Sequence, residues 1–251
     1  MTDFSYQLYS SRNFPPLKDT LKMLGQLGYK QVEGYGALYE NLDAIDELKA
    51  DLAENGLAMK TGHIGFDMIR DEPARVLEIT KALDMDCVFV PHLAAEDRPT
   101  DAAGWAAFGK ALGEAGKPFW DAGLTYGWHN HDFEFAAIDS AEKPLDLIMQ
   151  GSDDFALELD IAWVQVGGED PLEWIAKYAD RIAAAHIKDI APAGENTDED
   201  GWADPGHGIM DWTAIWGALG QTKAKYFVME HDNPKDAERF ARRAIETANN
   251  F

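Results

Sequence analysis

Short apolar runs and amphipathic stretches alternate along the whole chain. The runs Phe4–Tyr9, Lys30–Glu33, Ala58–His63, Cys87–His92, Leu124–His131, Phe155–Ile161, Ile182–Ile187 and Tyr226–Glu230 have the length of buried strands. Between them lie helical patterns over Leu17–Leu27, Leu42–Glu54, Pro73–Leu83, Ala102–Ala115 continuing to Ala122, Pro144–Met149, Pro171–Tyr178, Trp212–Leu219 and Pro234–Ala248. Gly28 and Gly56 stand where two of these helices stop, because glycine adopts the left-handed conformation of a C-terminal cap without a Cβ clash. Asp170-Pro171 opens another, the fixed φ of proline suiting a first helical turn.

Eight strand–helix units predict a parallel sheet, and closure of that sheet predicts an α/β fold of the (β/α)8 TIM barrel type. The competing architecture is an open doubly wound sheet. No G-x-G-x-x-G follows the first strand and no G-x-x-x-x-G-K-[ST] occurs, so its nucleotide-binding versions lose their main support. At 251 residues, with no Gly/Ser- or Pro-rich linker, the chain reads as one domain over residues 1–251.

Charge narrows the range of partners. Against 45 Asp+Glu stand 22 Lys+Arg, a formal net charge of -23. A nucleic-acid backbone needs a basic footprint to release its counterions, and none is visible. The one cysteine, Cys87, lies in an apolar run and fits a reducing compartment. The first residues lack a signal-peptide pattern, and no apolar stretch approaches the ~18 residues of a membrane helix. The expectation is a cytoplasmic protein with no membrane and no nucleic-acid partner. Trp105, Trp202 and Trp216, read as exposed, leave open either a homo-oligomer interface or packing on the chain's own barrel.

The histidines carry the strongest chemical signal. Of seven, His63, His92, His129, His131, His186 and His231 fall at or just after predicted strand ends, and His207 falls in the loop after the seventh strand. In a (β/α)8 barrel those ends form the active-site face. Glu33, Asp67, Glu134, Glu158, Asp160, Glu230 and Asp232 share these positions. An unpaired buried carboxylate is costly, and Lys188 is the only obvious strand-end cation to pair with them; a metal cation resolves the imbalance. Strand alternation puts His129 and His131 on one face, and Glu158 and Asp160 on one face. Asp160, nearer the strand end, is the better ligand candidate, with Glu158 as a deeper supporting group.

Taken in order, Val32-Glu33-Gly34, Gly62-His63, His129-Asn130-His131-Asp132-Phe133-Glu134-Phe135, Leu157-Glu158-Leu159-Asp160, Gly167-Gly168-Glu169-Asp170-Pro171, His186-Ile187-Lys188-Asp189, Gly206-His207-Gly208 and Glu230-His231-Asp232 resemble the xylose-isomerase-like barrels, specifically the sugar phosphate isomerase/epimerase group. The resemblance covers essentially the whole chain. It implies one divalent metal ion (Mn, Zn, Co or Mg) held by Glu134, Asp160, His186 and Glu230. The first ligand departs from the pattern: many relatives carry Glu where His129 stands, so Glu134 is read as the replacement, with His129 and His131 as alternatives. Trp163 and His207 also stand where relatives often have other residues.

The resemblance implies a metal-dependent isomerase or epimerase acting through an enediolate on a sugar, keto-sugar or polyol derivative. Glu134 and Glu230 would serve as bases, His131 and His63 as proton shuttles, and Lys188 as an oxyanion partner. Glu33, His129, Trp163 and His207 are the substrate-binding candidates. Two alternatives stay open: a lyase or dehydratase on a keto-sugar using the same metal, and a non-catalytic sugar-binding barrel. A phosphodiesterase of damaged DNA shares the fold, and the acidic charge speaks against it.

Overall fold

A computed structural model describes residues 2–41 and 44–250 and closes the eight apolar runs into one parallel barrel. Its strands are β1 (Phe4–Gln7), β2 (Gln31–Gly34), β3 (Ala58–His63), β4 (Cys87–Val90), β5 (Thr125–His129), β6 (Ala156–Asp160), β7 (Ile182–Ile187) and β10 (Tyr226–Met229). They follow one another around the barrel in the order β1-β10-β7-β6-β5-β4-β3-β2. Two further short strands, β8 (Asp189–Ile190) and β9 (Trp202–Ala203), pair as an antiparallel ribbon above β7.

The helices are α1 (Leu17–Leu27), α2 (Ile45–Glu54), α3 (Phe66–Asp71), α4 (Pro73–Leu83), α5 (Ala102–Asp121), α6 (Pro144–Met149), α7 (Ile161–Val166), α8 (Pro171–Lys177), α9 (Trp212–Leu219) and α10 (Ala237–Ala248). The predicted start of α2 at Leu42 lies outside the described residues. Helices α3 and α7 were not anticipated. The predicted sixth strand runs to Ile161, but the Asp160 side chain accepts a hydrogen bond from the Trp163 N–H at 2.9 Å and starts a helix at Ile161. Six residues with Asp67, Arg70 and Asp71 among them leave α3 too short for a periodic apolar face.

Local capping explains the other boundary shifts. Strand β1 ends at Gln7, not Tyr9, because the Gln7 side chain accepts from the Tyr9 N–H at 3.0 Å and turns Leu8–Ser11 into a 3-10 helix. Helix α10 begins at Ala237, not Pro234, where Asp236 accepts from the Arg239 N–H at 2.9 Å. Strand β5 stops at His129, so His131 stands on the loop beyond it.

Register decides which charged residues become neighbours. Gln7 pairs with Glu33, His129 with Glu158, and Asp160 with His186. Cys87, Phe89, Ala156 and Ala184 form a small buried cluster on the inward face, separate from the main core between strands and helices. The tryptophans read as exposed are not free: Trp105 and Trp202 are buried, and Trp216 packs on Phe227 with ring centroids 4.7 Å apart. Among the described residues no helix is long and apolar enough to cross a membrane.

The excursion after β7 is pinned by one side chain. Asp189 is fully buried, and its carboxylate accepts from the N–H groups of Ile190, Gly206, Gly208 and Met210 and from Trp212 Nε1, at 2.8 to 3.1 Å. Asp189→Ala removes the acceptor these donors share, and a buried donor that loses its acceptor costs about 1–3 kcal/mol. The expected outcome is a loss of at least about 3 kcal/mol in unfolding free energy, read from the urea midpoint, with the segment 190–210 losing protection first in hydrogen exchange.

Candidate functional site

Strands β2, β3, β5, β6, β7 and β10 each deliver a titratable side chain to the C-terminal end of the barrel, and these stack in two layers. The outer layer holds His129, Asp160, His186 and Glu230, whose candidate ligand atoms lie within 4.8 Å of one another. His186 Nδ1 is 2.9 Å from Glu230 Oε2 and 3.9 Å from Asp160 Oδ2. Asp160 Oδ2 is buried with no hydrogen-bond partner. Two imidazoles and two carboxylates converging on one point, one carboxylate oxygen having no hydrogen bond, fit a divalent metal ion of the Mn, Co or Zn type.

Beneath lies an inner layer of Glu33, His63 and Glu158. His186 Nε2 is 2.7 Å from Glu33 Oε1 and 3.3 Å from Glu158 Oε2. His63 Nε2 is 2.5 Å from Glu158 Oε2, and Gln7 Nε2 donates to Glu33 Oε1 at 2.8 Å. His129 Nδ1 lies 3.1 Å from Glu158 Oε2, outside hydrogen-bond geometry.

The electrostatics follow from burial opposed by neighbours. Burial pushes the Asp160 carboxyl up to about 7, with the Lys188 ammonium pulling the other way. It pushes His129 down to about 3, and nearby His186 adds to that. Burial alone would lower His186, but Glu158, Glu230 and Glu33 reverse this and hold it well above its ordinary range. Lys188 follows the same logic: burial lowers it, while Asp232, Glu230 and Asp160 raise it further. Its Nζ donates to Asp232 at 2.6 Å and Glu230 at 3.3 Å, and sits 4.3 Å from the Trp202 ring centroid and 4.9 Å from that of Trp163.

Above the outer layer opens a cavity of about 460 Å³ lined by His63, His129, His131 and Glu230 with Tyr9, Arg12, Tyr35, His92 and Asp232, a volume suited to a small ligand. Of the sequence-predicted residues, the structure therefore brings together His63, His129, His131, Asp160, His186, Lys188 and Glu230. Four others stand outside the outer layer and the cavity wall above it. Glu134 is turned from the cluster: Oε1 accepts from Trp128 Nε1 at 2.8 Å and Oε2 from the His131 N–H at 2.9 Å, so it braces the loop, and His129 stands in the cluster instead. Burial pushes the Glu134 carboxyl up to about 8. Glu33 is fully buried under the histidines and does not line the cavity. His207 is exposed, beside Arg239 and Arg243 in a separate depression. Trp163 lines a neighbouring groove with Val166, Trp202 and Asp232.

Sequence reading did not single out Arg12, Tyr9 or Tyr35. They sit on loops after β1 and β2, where no periodicity marks them. Arg12 stacks on the Tyr9 ring at 3.8 Å and donates through one nitrogen to the Tyr9 and Asp232 carbonyls.

Comparison with known proteins agrees with this architecture. The family described as the xylose isomerase-like TIM barrel matches residues 21–250. No curated protein matches the chain. Among solved structures, a sugar phosphate isomerase/epimerase from Parabacteroides distasonis superposes with a TM-score of 0.78 at 20% identity, covering 97% of this chain and 92% of that one. The IolI protein with a bound zinc atom gives 0.76 at 20% identity, covering 99% and 97%. D-psicose 3-epimerase in the presence of D-fructose gives 0.73 at 15% identity, covering 99% and 98%. At these identities the likeness is one of fold.

Removing the Glu134 brace separates its role from that of His129. Glu134→Ala strands two buried donors and is expected to lower the unfolding free energy by about 1–3 kcal/mol while leaving bound-metal content unchanged by elemental analysis. His129→Ala is expected to lower metal content instead.

Proposed function

The chain belongs to the xylose isomerase-like TIM barrel family, and from that premise we propose that it is a metal-dependent isomerase or epimerase of a sugar, keto-sugar or polyol derivative. The observation that carries this reading is the convergence of His129, Asp160, His186 and Glu230 beside the cavity, with Asp160 Oδ2 left without a hydrogen-bond partner. These four residues would hold the ion. The paired imidazoles favour Mn, Co or Zn over Mg, which prefers oxygen donors. When bound, such an ion polarises a carbonyl and its neighbouring hydroxyl, acidifying the C–H between them.

The remaining work falls to the side chains. Proton removal and return on opposite faces of a substrate need two groups across the cavity from each other. His131, following β5, and Glu230, following β10, meet that need: β6 and β7 separate their strands, nearly half the circuit of the barrel. His131 lines the cavity and stands neutral, because burial and the nearby His129, Lys188 and His92 hold it well below its ordinary range. Lys188, held protonated between two tryptophan faces, stabilises negative charge developing on a substrate oxygen. Tyr9, Arg12 and Tyr35 supply the opposite wall, where ring faces and N–H groups suit a polyol.

The test is isotope exchange. Protein loaded with Mn, Co or Zn is incubated in D2O with a panel of ketohexoses and inososes, and products are read by mass and NMR. Deuterium at the carbon next to the carbonyl, in an isomer of the substrate, is the expected result. A product lighter by one water would replace this reading with a dehydratase, and sugar binding without exchange would replace it with a binding protein. Chelation is expected to abolish exchange, and His131→Gln to slow it about 10²- to 10⁴-fold with metal content intact.

A further inference from the structure

Glu33 and Glu158 of the inner layer do not line the cavity, yet they stand against the ligand histidines. Glu158 and Glu33 are fully buried. Each has one oxygen engaged and one without any hydrogen-bond partner: Glu158 Oε1 and Glu33 Oε2 are both orphaned. Well-packed apolar residues of similar volume would avoid that cost, so stability alone gives no reason for the pair. The engaged oxygens face ring nitrogens. Glu158 Oε2 stands 3.1 Å from His129 Nδ1 and 3.3 Å from His186 Nε2, and Glu33 Oε1 stands 2.7 Å from His186 Nε2. His186 thereby presents Nδ1 to Glu230 and Asp160 in the outer layer while its other nitrogen is held from below.

The donor set explains why carboxylates are placed there. With His129 in the cluster, the outer layer contributes two carboxylates and two neutral imidazoles, so it carries less negative charge than a set with three carboxylates. A carboxylate on the far nitrogen of a ligating imidazole fixes its tautomer and ring orientation and raises its basicity, returning part of that charge to the metal through the ring.

We propose that Glu158 and Glu33 are positioning residues for the metal site, Glu33 orienting His186 through its hydrogen bond and Glu158 strengthening His129 and His186 as donors through its charge beneath them. The proposal rests on the metal reading above. His63 and Gln7 complete the arrangement: His63 Nε2 holds Glu158 Oε2 at 2.5 Å, and Gln7 Nε2 holds Glu33 Oε1 at 2.8 Å, so neither engaged oxygen is free to turn away from the ligand rings.

The experiment is metal titration of the full chain after chelation, for wild type, Glu158→Gln and Glu33→Gln, two near-isosteric changes that remove charge. Co2+ reports coordination by its visible absorption, Zn2+ competition gives the affinity, and thermal melts of the metal-free proteins establish that each variant is folded. The expected result is one ion per chain throughout, with affinity weakened about 10- to 100-fold in each variant and a shifted Co2+ spectrum in at least one. Wild-type affinity and an unchanged spectrum in either folded variant would remove that residue from the proposal, and in both would overturn it. Two ions per wild-type chain, one of them lost in Glu158→Gln, would also overturn it and make the inner layer a metal site of its own. A wild type that takes up no ion fails at the earlier step, removing the metal reading itself and this proposal with it.

Discussion

Buried charge at one end of the barrel is the constraint on which the remainder depends. Glu33, Glu158 and Asp160 are fully sealed from solvent and Glu230 nearly so. A carboxylate in such surroundings costs several kcal/mol unless partnered. The partners come from other strands: His63 from β3, His186 from β7 and Lys188 just beyond β7. Strand register is thereby tied to charge balance, because Asp160 meets His186 only in the observed pairing of β6 with β7. A slip by one residue would turn every side chain of β6 to the other face and drive Glu158 and Asp160 into the apolar layer beneath the helices. The barrel presents the site, and the site in turn specifies the barrel.

The same constraint explains what could be read from the sequence. Acids such as Asp160 and Glu230 following apolar runs are conspicuous because apolar surroundings cannot solvate them, and the eightfold alternation places them at one end of a closed sheet. Strand and helix cores were legible for the same reason, the helices Leu17–Leu27, Pro73–Leu83, Pro144–Met149 and Trp212–Leu219 falling where the pattern puts them. Boundaries set by a single side chain were not. Nothing in periodicity reveals that Asp160 caps α7 while also facing the cluster, or that Gln7 ends β1 by folding back on the Tyr9 N–H.

Glu134 shows the limit most clearly. The family resemblance favours a third carboxylate in the cluster, and the chain has one five residues beyond His129. A tight turn over Phe133–Phe135 carries it to the Trp128 indole and the His131 amide, where its two oxygens brace a loop. Glu33 went astray in the opposite direction: it lies at a strand end as expected, but deep enough to meet histidines rather than the cavity. Spacing fixes the strand and the face; depth depends on how far each strand rises at the mouth, which is a property of the assembled barrel.

Lys188 and Asp189 show how the loop that completes the site is coupled to the fold. Adjacent in sequence, they point to opposite faces at the end of β7. Lys188 enters the carboxylate cluster, and Asp189 gathers the amides of the excursion that returns as β9. Trp202 lies on that returning strand and covers the Lys188 ammonium, keeping water from it. In the lowered dielectric beneath the indole, the attraction between Lys188 and Asp232 is stronger than it would be in solvent. The two neighbouring residues thus act in concert: Asp189 holds the loop in place, and the loop sharpens the charge on Lys188. Variation in the length or sequence of this excursion alters the wall facing the substrate without disturbing the strand-borne cluster, which is how one barrel accommodates different substrates above a common floor.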